Sequence, residues 1–436
     1  MRFARTCYAA ALLVIVALSL AEAGSFNAPE HADKPSVVLV SIDGFGHDFR
    51  DRTETPALDE LAATGISATS LVPVYPTLTF PNHYSIATGL YPADHGLVAN
   101  HFPPADGGNW FRMYDREAVQ DGSWYGGDPL WVVAEQNDML TAAFFFVGTE
   151  ADIQGIRPVY WYPYDGSVPG ETRVDQVLDW LALPAPGRPH LVTLYFDDVD
   201  LAAHRTGPDS AESRAAIRRV DGHLRRLLDG IERLPIAERV HVIVVSDHGQ
   251  QATDTQAPPY VLSEHIELEG LTFHGGGSYL NIWLDTPDPA RAAAIRDRVN
   301  ASWNHGRAWL MAESPAHWRV ADDDTRFADI VLMAEPGRTV VSRPERIAKI
   351  KAGNHGWDPS VPAMHGIFMA RGRGLPGGIV IGERHVTDVY PFVLSILRLP
   401  DVRGELPVVR DPRILVQRWR EEAAGDTHPP PTRPGG

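Results

Sequence analysis

Cysteine is nearly missing. The only one in 436 residues is Cys7, so the chain forms no internal disulfide and offers no cluster of thiolates; any metal ion must be held by imidazole and carboxylate. Lysine is almost as scarce, with Lys34, Lys349 and Lys351 making up the full set. Together with a formal net charge of −17, this excludes a surface suited to tracking a phosphate backbone, and no nucleic-acid duplex is expected as a partner. Long apolar runs are lacking too. The longest, Tyr8 to Leu20, falls short of the ~20 residues a bilayer span needs, so stable membrane insertion is not expected.

That run instead completes a three-part pattern: Arg2 and Arg5, the apolar stretch, then Ala21-Glu22-Ala23. Residues 1–23 read as a secretory signal, with Gly24 as the first mature residue and a secreted or periplasmic location. The remainder reads as one catalytic unit over residues 24–420, interrupted by a smaller α+β insertion at about 251–344. Residues 421–436, ending HPPPTRPGG, read as a disordered tail.

Three β-branched runs end abruptly in polar residues: SVVLVSID (36–43), HLVTLYFDD (190–198) and VHVIVVSDHG (240–249). Runs without polar alternation suit strands buried on both faces, as in a parallel sheet covered by helices. Between the last two, Ile217, Val220, Leu224, Leu227, Leu228 and Ile231 recur at helical spacing. The fold class is therefore α/β, a mostly parallel sheet with helices on both faces. In the insertion, Ser278 to Leu284 and Ile330 to Met333 look like strands and Pro289 to Trp303 like a helix.

Sites in such sheets lie off the carboxyl ends of the strands. Asp43, Asp200, Asp247 and His248 fall at or just past those ends, His204 follows Asp200 by four residues, and His365 appears in MHGIF. An aspartate after a strand is commonly a cap or turn residue, but this many imidazoles and carboxylates at strand ends form a metal-ligand set. It suits zinc, or manganese or another divalent ion. Two ions ~4 Å apart would clamp the attacking and leaving oxygens of an in-line displacement at phosphorus.

With these residues in view, the chain resembles the nucleotide pyrophosphatase/phosphodiesterase family of the alkaline phosphatase superfamily, in its bacterial-type single-catalytic-domain form. The resemblance runs from Val37 to Gly372 through SIDGF, TFPNHYSIATGLYPADHGLVAN, GGDPLW, DLAAHRTGP, SDHG and GNHGWDPSVPAMHGIFMARG. It implies an alkaline-phosphatase-like fold and two zinc ions per chain. One would be held by Asp43, Thr79, Asp247 and His248, the other by Asp200, His204 and His365. Thr79 in TFPNH would be the nucleophile, Asn100 would bond a non-bridging phosphoryl oxygen, and Phe80 and Tyr164 would sandwich a nucleobase. A threonine alkoxide needs a nearby metal to form at neutral pH. A position at a helix start adds donors for an anionic phosphoryl group. The family's usual Pro-Asp-x-x-Gly-His is altered here, with Val199 before Asp200 and Ala203 before His204.

The expected activity is hydrolysis of nucleotide phosphodiester or phosphoanhydride bonds to nucleoside 5′-monophosphates, through a threonyl-nucleotide intermediate. The alternatives in the same superfamily are a phosphate monoesterase and a phospholipid or choline-type phosphodiesterase. A threonine-type monoesterase would use a Lys-x-Arg pair in an inserted segment, and no lysine lies between Lys34 and Lys349. A sulfatase would need Cys or Ser in C/S-x-P-x-R, which TFPNH does not supply. His47, His83, His95, His274 and His355 receive no ligand role and are expected to be structural.

Overall fold

A computed structural model describes residues 26–105, 108–320, 324–400 and 411–424. The expected signal, with its expected cleavage before Gly24, lies outside these residues. The strands that matter for the site are β1 (Ser36–Ile42), β2 (Ile66–Ala68), β3 (Thr141–Phe144), β4 (Tyr160–Trp161), β5 (Leu191–Phe196), β6 (Val240–Val245), β7 (Phe368–Arg371) and β8 (Ile379–Ile381). They form one eight-stranded sheet in the order β8-β2-β7-β6-β1-β5-β3-β4. All pairings are parallel except those of β7, which runs antiparallel to β2 and β6.

The uninterrupted apolar runs have the reason the sequence implies. In β1, Val37 and Leu39 pack into one apolar cluster while Val38, Val40 and Ile42 pack into another on the opposite face. Strands β5 and β6 divide their residues the same way. Each such side chain, fully buried, contributes roughly 1.5–3 kcal/mol relative to exposure, so a charge placed at Val40 would break both the strand and its packing. The amphipathic stretch between β5 and β6 becomes the helix Ala211–Glu232, burying Ile217, Val220, Leu224, Leu227, Leu228 and Ile231.

Within 251–344, a second, antiparallel sheet orders Leu271–Gly275, Tyr279–Leu284, Ile330–Ala334 and Gly306–Leu310. It packs with the helix Pro289–Ser302 around its own apolar cluster. At the other end of the chain, the helix Pro412–Ala424 overlaps the first four residues of the expected disordered tail. Trp419 from that helix is buried against Phe368 and Phe392, so an aromatic anchor outweighs the polar composition there. The rest of the tail lies outside the described residues.

A candidate two-metal site at the strand ends

Helices α1 (Thr79–Thr88) and α3 (Asp198–Thr206) carry site residues, while α2 (Gly170–Leu181) and α3 both pack against α4 (Ala211–Glu232). Asp43 directly follows β1, and Asp247 and His248 follow β6. Because β1 lies between β5 and β6, these carboxylates must emerge side by side. Gly44, in the left-handed region at φ 67°, makes room for the second half: a Cβ there would lie 2.9 Å from the Cβ of Asp200. Asp200 and His204 lie one turn apart on α3, so both face the same way.

The first group gathers around His248. Its Nε2 is 3.0 Å from Asp247 Oδ2, 3.7 Å from Asp43 Oδ1 and 3.5 Å from Thr79 Oγ1. Thr79 opens α1 after the extended Leu78. Asn82 holds the approach, accepting from Val74 N at 2.7 Å and donating to the carbonyls of Val74, Pro76 and Leu78. The threonine thus sits where extended chain becomes helix.

The second group contains Asp200, His204 and His355. His204 Nε2 is 3.4 Å from Asp200 Oδ2 and His355 Nε2 is 3.8 Å from Asp200 Oδ1. The rings of His248 and His355 stack at 3.8 Å, which puts the two groups edge to edge.

The structure does not bring His365 into this group. His365 Nε2 bonds the carbonyl of Pro359 at 2.9 Å and Nδ1 meets Ser70 Oγ at 3.2 Å. Its neighbours are His47 and Glu383. His355 lies beside Asp200 instead. A carbonyl can only accept, so the ring nitrogen facing it must carry the proton. His204 Nδ1 faces Gly353 O at 2.8 Å, His248 Nδ1 faces Gly249 O at 3.0 Å, and His355 Nδ1 faces Thr77 O at 2.8 Å. Each of the three therefore leaves Nε2 as the nitrogen that faces the carboxylates, the one a metal would take. The signal for His355 was its setting in GNHGWD, where Gly356 has φ 98° and a Cβ would collide with Tyr279.

His83 borders the first group: its Nδ1 bonds Thr79 O at 2.9 Å and lies 3.3 Å from Asp247 Oδ2, and its Nε2 meets the Ser41 hydroxyl at 2.8 Å. His95 meets Ser85, and His274 stacks on His101.

The electrostatics call for cations. Burial pushes the Asp43 carboxyl well above the usual carboxylate range, and the charges of Asp247 and Asp200 push it further. Asp43 Oδ1 and Asp247 Oδ2 are buried without a hydrogen-bond partner, a costly arrangement unless an ion takes them. Asp43 Oδ2 is oriented by the Tyr195 hydroxyl at 2.6 Å, and Asp200 Oδ1 by the Gln250 amide. Two buried clusters could each hold a divalent ion: Asp43 and Asp247 with His83, and Asp200 with His248 and His355; His248 also lies within 3.7 Å of Asp43 and 3.5 Å of Thr79, and His204 within 3.4 Å of Asp200.

Around the metal ligands, Asn100 Oδ1 accepts from Phe80 N at 2.9 Å, leaving Nδ2 as the donor end of that amide. Phe80 is buried and rests edge-on against Phe111. Tyr164 is 41% exposed, and its ring is 6.1 Å from that of Tyr195. Lys351 was not anticipated: burial lowers its ammonium pKa, opposed by the nearby charges of Asp200 and Asp43.

A family model described as type I phosphodiesterase / nucleotide pyrophosphatase matches residues 37–358. An uncharacterized pyrophosphatase/phosphodiesterase of Schizosaccharomyces pombe is 29% identical over 436 residues, spanning 95% of this chain and 87% of that protein. Human ectonucleotide pyrophosphatase/phosphodiesterase family member 1 is 30% identical over 382 residues, which are 85% of this chain but 41% of the human protein. The chain thus spans less than half of that relative's length. Among solved structures, murine ectonucleotide pyrophosphatase/phosphodiesterase 5, an inactive threonine-to-alanine variant in complex with AMP, is similar with a TM-score of 0.78 at 26% identity, covering 86% of this chain and 96% of that one. With the match running through both halves of the site, the chain belongs to the type I phosphodiesterase / nucleotide pyrophosphatase family, hydrolases of alkaline-phosphatase-like fold.

Proposed function

We propose that the chain is an exported nucleotide pyrophosphatase/phosphodiesterase in which Thr79 is the nucleophile. The observation that carries this reading is the position of Thr79 Oγ1 at the start of α1, 3.5 Å from His248 Nε2 and beside two groups of buried carboxylates and imidazoles. Asp43, Thr79, Asp247 and His248 would hold one zinc ion, and Asp200, His204 and His355 the other. When bound, the pair supplies a lowered threonine pKa and charge withdrawal from the attacking and leaving oxygens. Thr79 Oγ1 forms the bond to phosphorus as the bond to the leaving oxygen breaks in line, on the side of Asp200 and His355. Asn100 Nδ2 complements the non-bridging oxygen. Phe80 and Tyr164 hold the nucleobase between their faces. Water then attacks phosphorus, the Thr79 oxygen leaves, and a nucleoside 5′-monophosphate departs.

Lys351 supplies a single cation near this site. That is less than the pair a threonine-type monoesterase uses to hold a dianionic phosphoryl group. A lipid diester has no base to place between Phe80 and Tyr164. The murine relative bound to AMP supports a nucleotide.

Initial rates on ATP, a dinucleotide, nitrophenyl phosphate and lysophosphatidylcholine test the choice. ATP should yield AMP and pyrophosphate. Orthophosphate as first product, or equal efficiency on mono- and diesters, would transfer the assignment to the monoesterase alternative, and a preference for lysophosphatidylcholine to the lipid one. Export is tested by the mature N-terminus: Gly24 is expected, and a cytosolic chain retaining Met1 would refute it.

A further inference from the structure

A tyrosine ring that is 41% exposed on a loop would ordinarily swing, and Tyr164 is held at both ends. Its backbone N–H donates to the buried Glu150 carboxylate at 3.0 Å, and its hydroxyl donates to Asp197 Oδ2 at 2.7 Å. Asp197 is held in turn. Its Oδ1 takes Nη1 of Arg173 at 3.3 Å, while the same nitrogen donates to the Tyr195 carbonyl at 2.9 Å. Arg173 Nε donates to the Val168 carbonyl at 3.0 Å, which fixes the plane of the guanidinium.

Arg173 lies in the first turn of α2 and is 2% exposed, a setting in which a guanidinium is tolerated only when paired. Its charge sits 5.0 Å over the Phe145 ring, and that ring packs 5.1 Å from Tyr164. Phe145 adopts a positive φ of 65°, backbone that a phenylalanine takes only when its surroundings impose it. Gly166 completes the enclosure: a Cβ there would lie 3.0 Å from the Tyr164 hydroxyl.

The same assembly reaches the metal ligands. Asp197 directly precedes α3, which carries Asp200 and His204, and Tyr195 donates to Asp43. The ring face of Tyr164 and the phosphoryl position are therefore referenced to one hydrogen-bonded body. That matters for a substrate whose base and phosphorus are a fixed distance apart.

We propose that Arg173, acting through Asp197, is a positioning residue that fixes the Tyr164 ring as one wall of a nucleobase subsite and thereby sets the preference for nucleotide over base-free diesters. The inference rests on the nucleotide reading of the site. A purely structural arginine would, when removed, impair every substrate alike; a positioning one impairs only substrates with a base.

The metal-loaded enzyme and its Arg173→Met, Arg173→Lys and Tyr164→Phe variants are compared on the nitrophenyl ester of thymidine 5′-monophosphate and on bis(nitrophenyl) phosphate. Arg173→Met should raise KM for the nucleotide ester roughly tenfold, part of what base stacking contributes. Tyr164→Phe, which keeps the ring and loses only its tether, should raise it about threefold. In both, kcat and the base-free substrate should change less than about twofold, and Arg173→Lys should recover part of the loss. Equal losses on both substrates, or unchanged KM in Tyr164→Phe, would overturn the proposal. Should Arg173→Met fail to fold, Tyr164→Phe decides, because it leaves the pairing of Arg173 with Asp197 in place. A wild-type enzyme with no preference for the nucleotide ester sinks the subsite and the proposal with it; a preference untouched by either variant sinks the clamp alone.

Discussion

His355 and His365 lie ten residues apart in one stretch of chain, each flanked by glycine, and residue type alone does not separate them. What separates them is where their ring nitrogens go. His355 gives its Nδ1 proton to a carbonyl and keeps Nε2 for Asp200, whereas His365 uses both nitrogens on Pro359 and Ser70. Such partners come from elsewhere in the fold, so no local pattern encodes them. That Asp43, Asp247, His248, Asp200 and His204 gather was legible, because each is tied to a strand end or a helical turn that the sequence does encode. The distinction is measurable. His355→Ala should lose about one of two zinc equivalents and most activity, a cost on the order of 100-fold or more for a ligand, while His365→Ala should keep both ions. Elemental analysis of the purified variants reads this directly, and the reverse pattern would restore His365 as the ligand.

The turn from extended chain into α1 owes its shape to Asn82 and His83, which the motif TFPNH names without explaining. Asn82 is fully buried and makes four hydrogen bonds to the segment before Thr79. Asn82→Ala should lower the unfolding free energy by about 2–4 kcal/mol, since it strands several buried backbone groups at once; denaturant unfolding would show it, and a change near zero would mean the segment holds its shape by other means. Helix α1 also packs on His95, whose Nδ1 accepts from Leu97 N and whose Nε2 donates to Ser85. Burial drops the His95 pKa from the ordinary 6.5 to about 3. The folded chain therefore keeps this ring neutral while the unfolded chain protonates it. The stability it contributes is present above pH 6.5 and is lost as pH falls toward 3, by roughly 3 kcal/mol at pH 4. His95→Gln, which can serve the same partners without titrating, should flatten the stability profile between pH 6.5 and 4. An unchanged slope would place the acid sensitivity elsewhere, for instance at His190, which burial lowers to about 4.

Across the whole molecule, the sheet was legible in its centre and obscure at its margins. Strands β1, β5 and β6 bury both faces and so read as continuous apolar runs, whereas β2, β4 and β8 have two or three residues each and carry no period to detect. The antiparallel entry of β7 is likewise a property of the assembled sheet, not of FMAR as a string. Three buried carboxylates gathered at the centre of so acidic a chain make its stability depend on cations. Metal at a thousandfold excess over Kd should add about 4 kcal/mol per site; thermal unfolding before and after chelation, with zinc added back, should show a large reversible fall in Tm, and an indifferent Tm would mean the groups hold no ion in solution. The most direct test of the two-metal threonine site is Thr79→Ala, assayed for metal content and nucleotide diester hydrolysis on the same sample. Two metal equivalents should remain while turnover falls by a factor on the order of 10³ to 10⁶, as when the nucleophile of a covalent mechanism is removed. Turnover close to that of the unmodified chain, with the metals in place, would contradict the assignment.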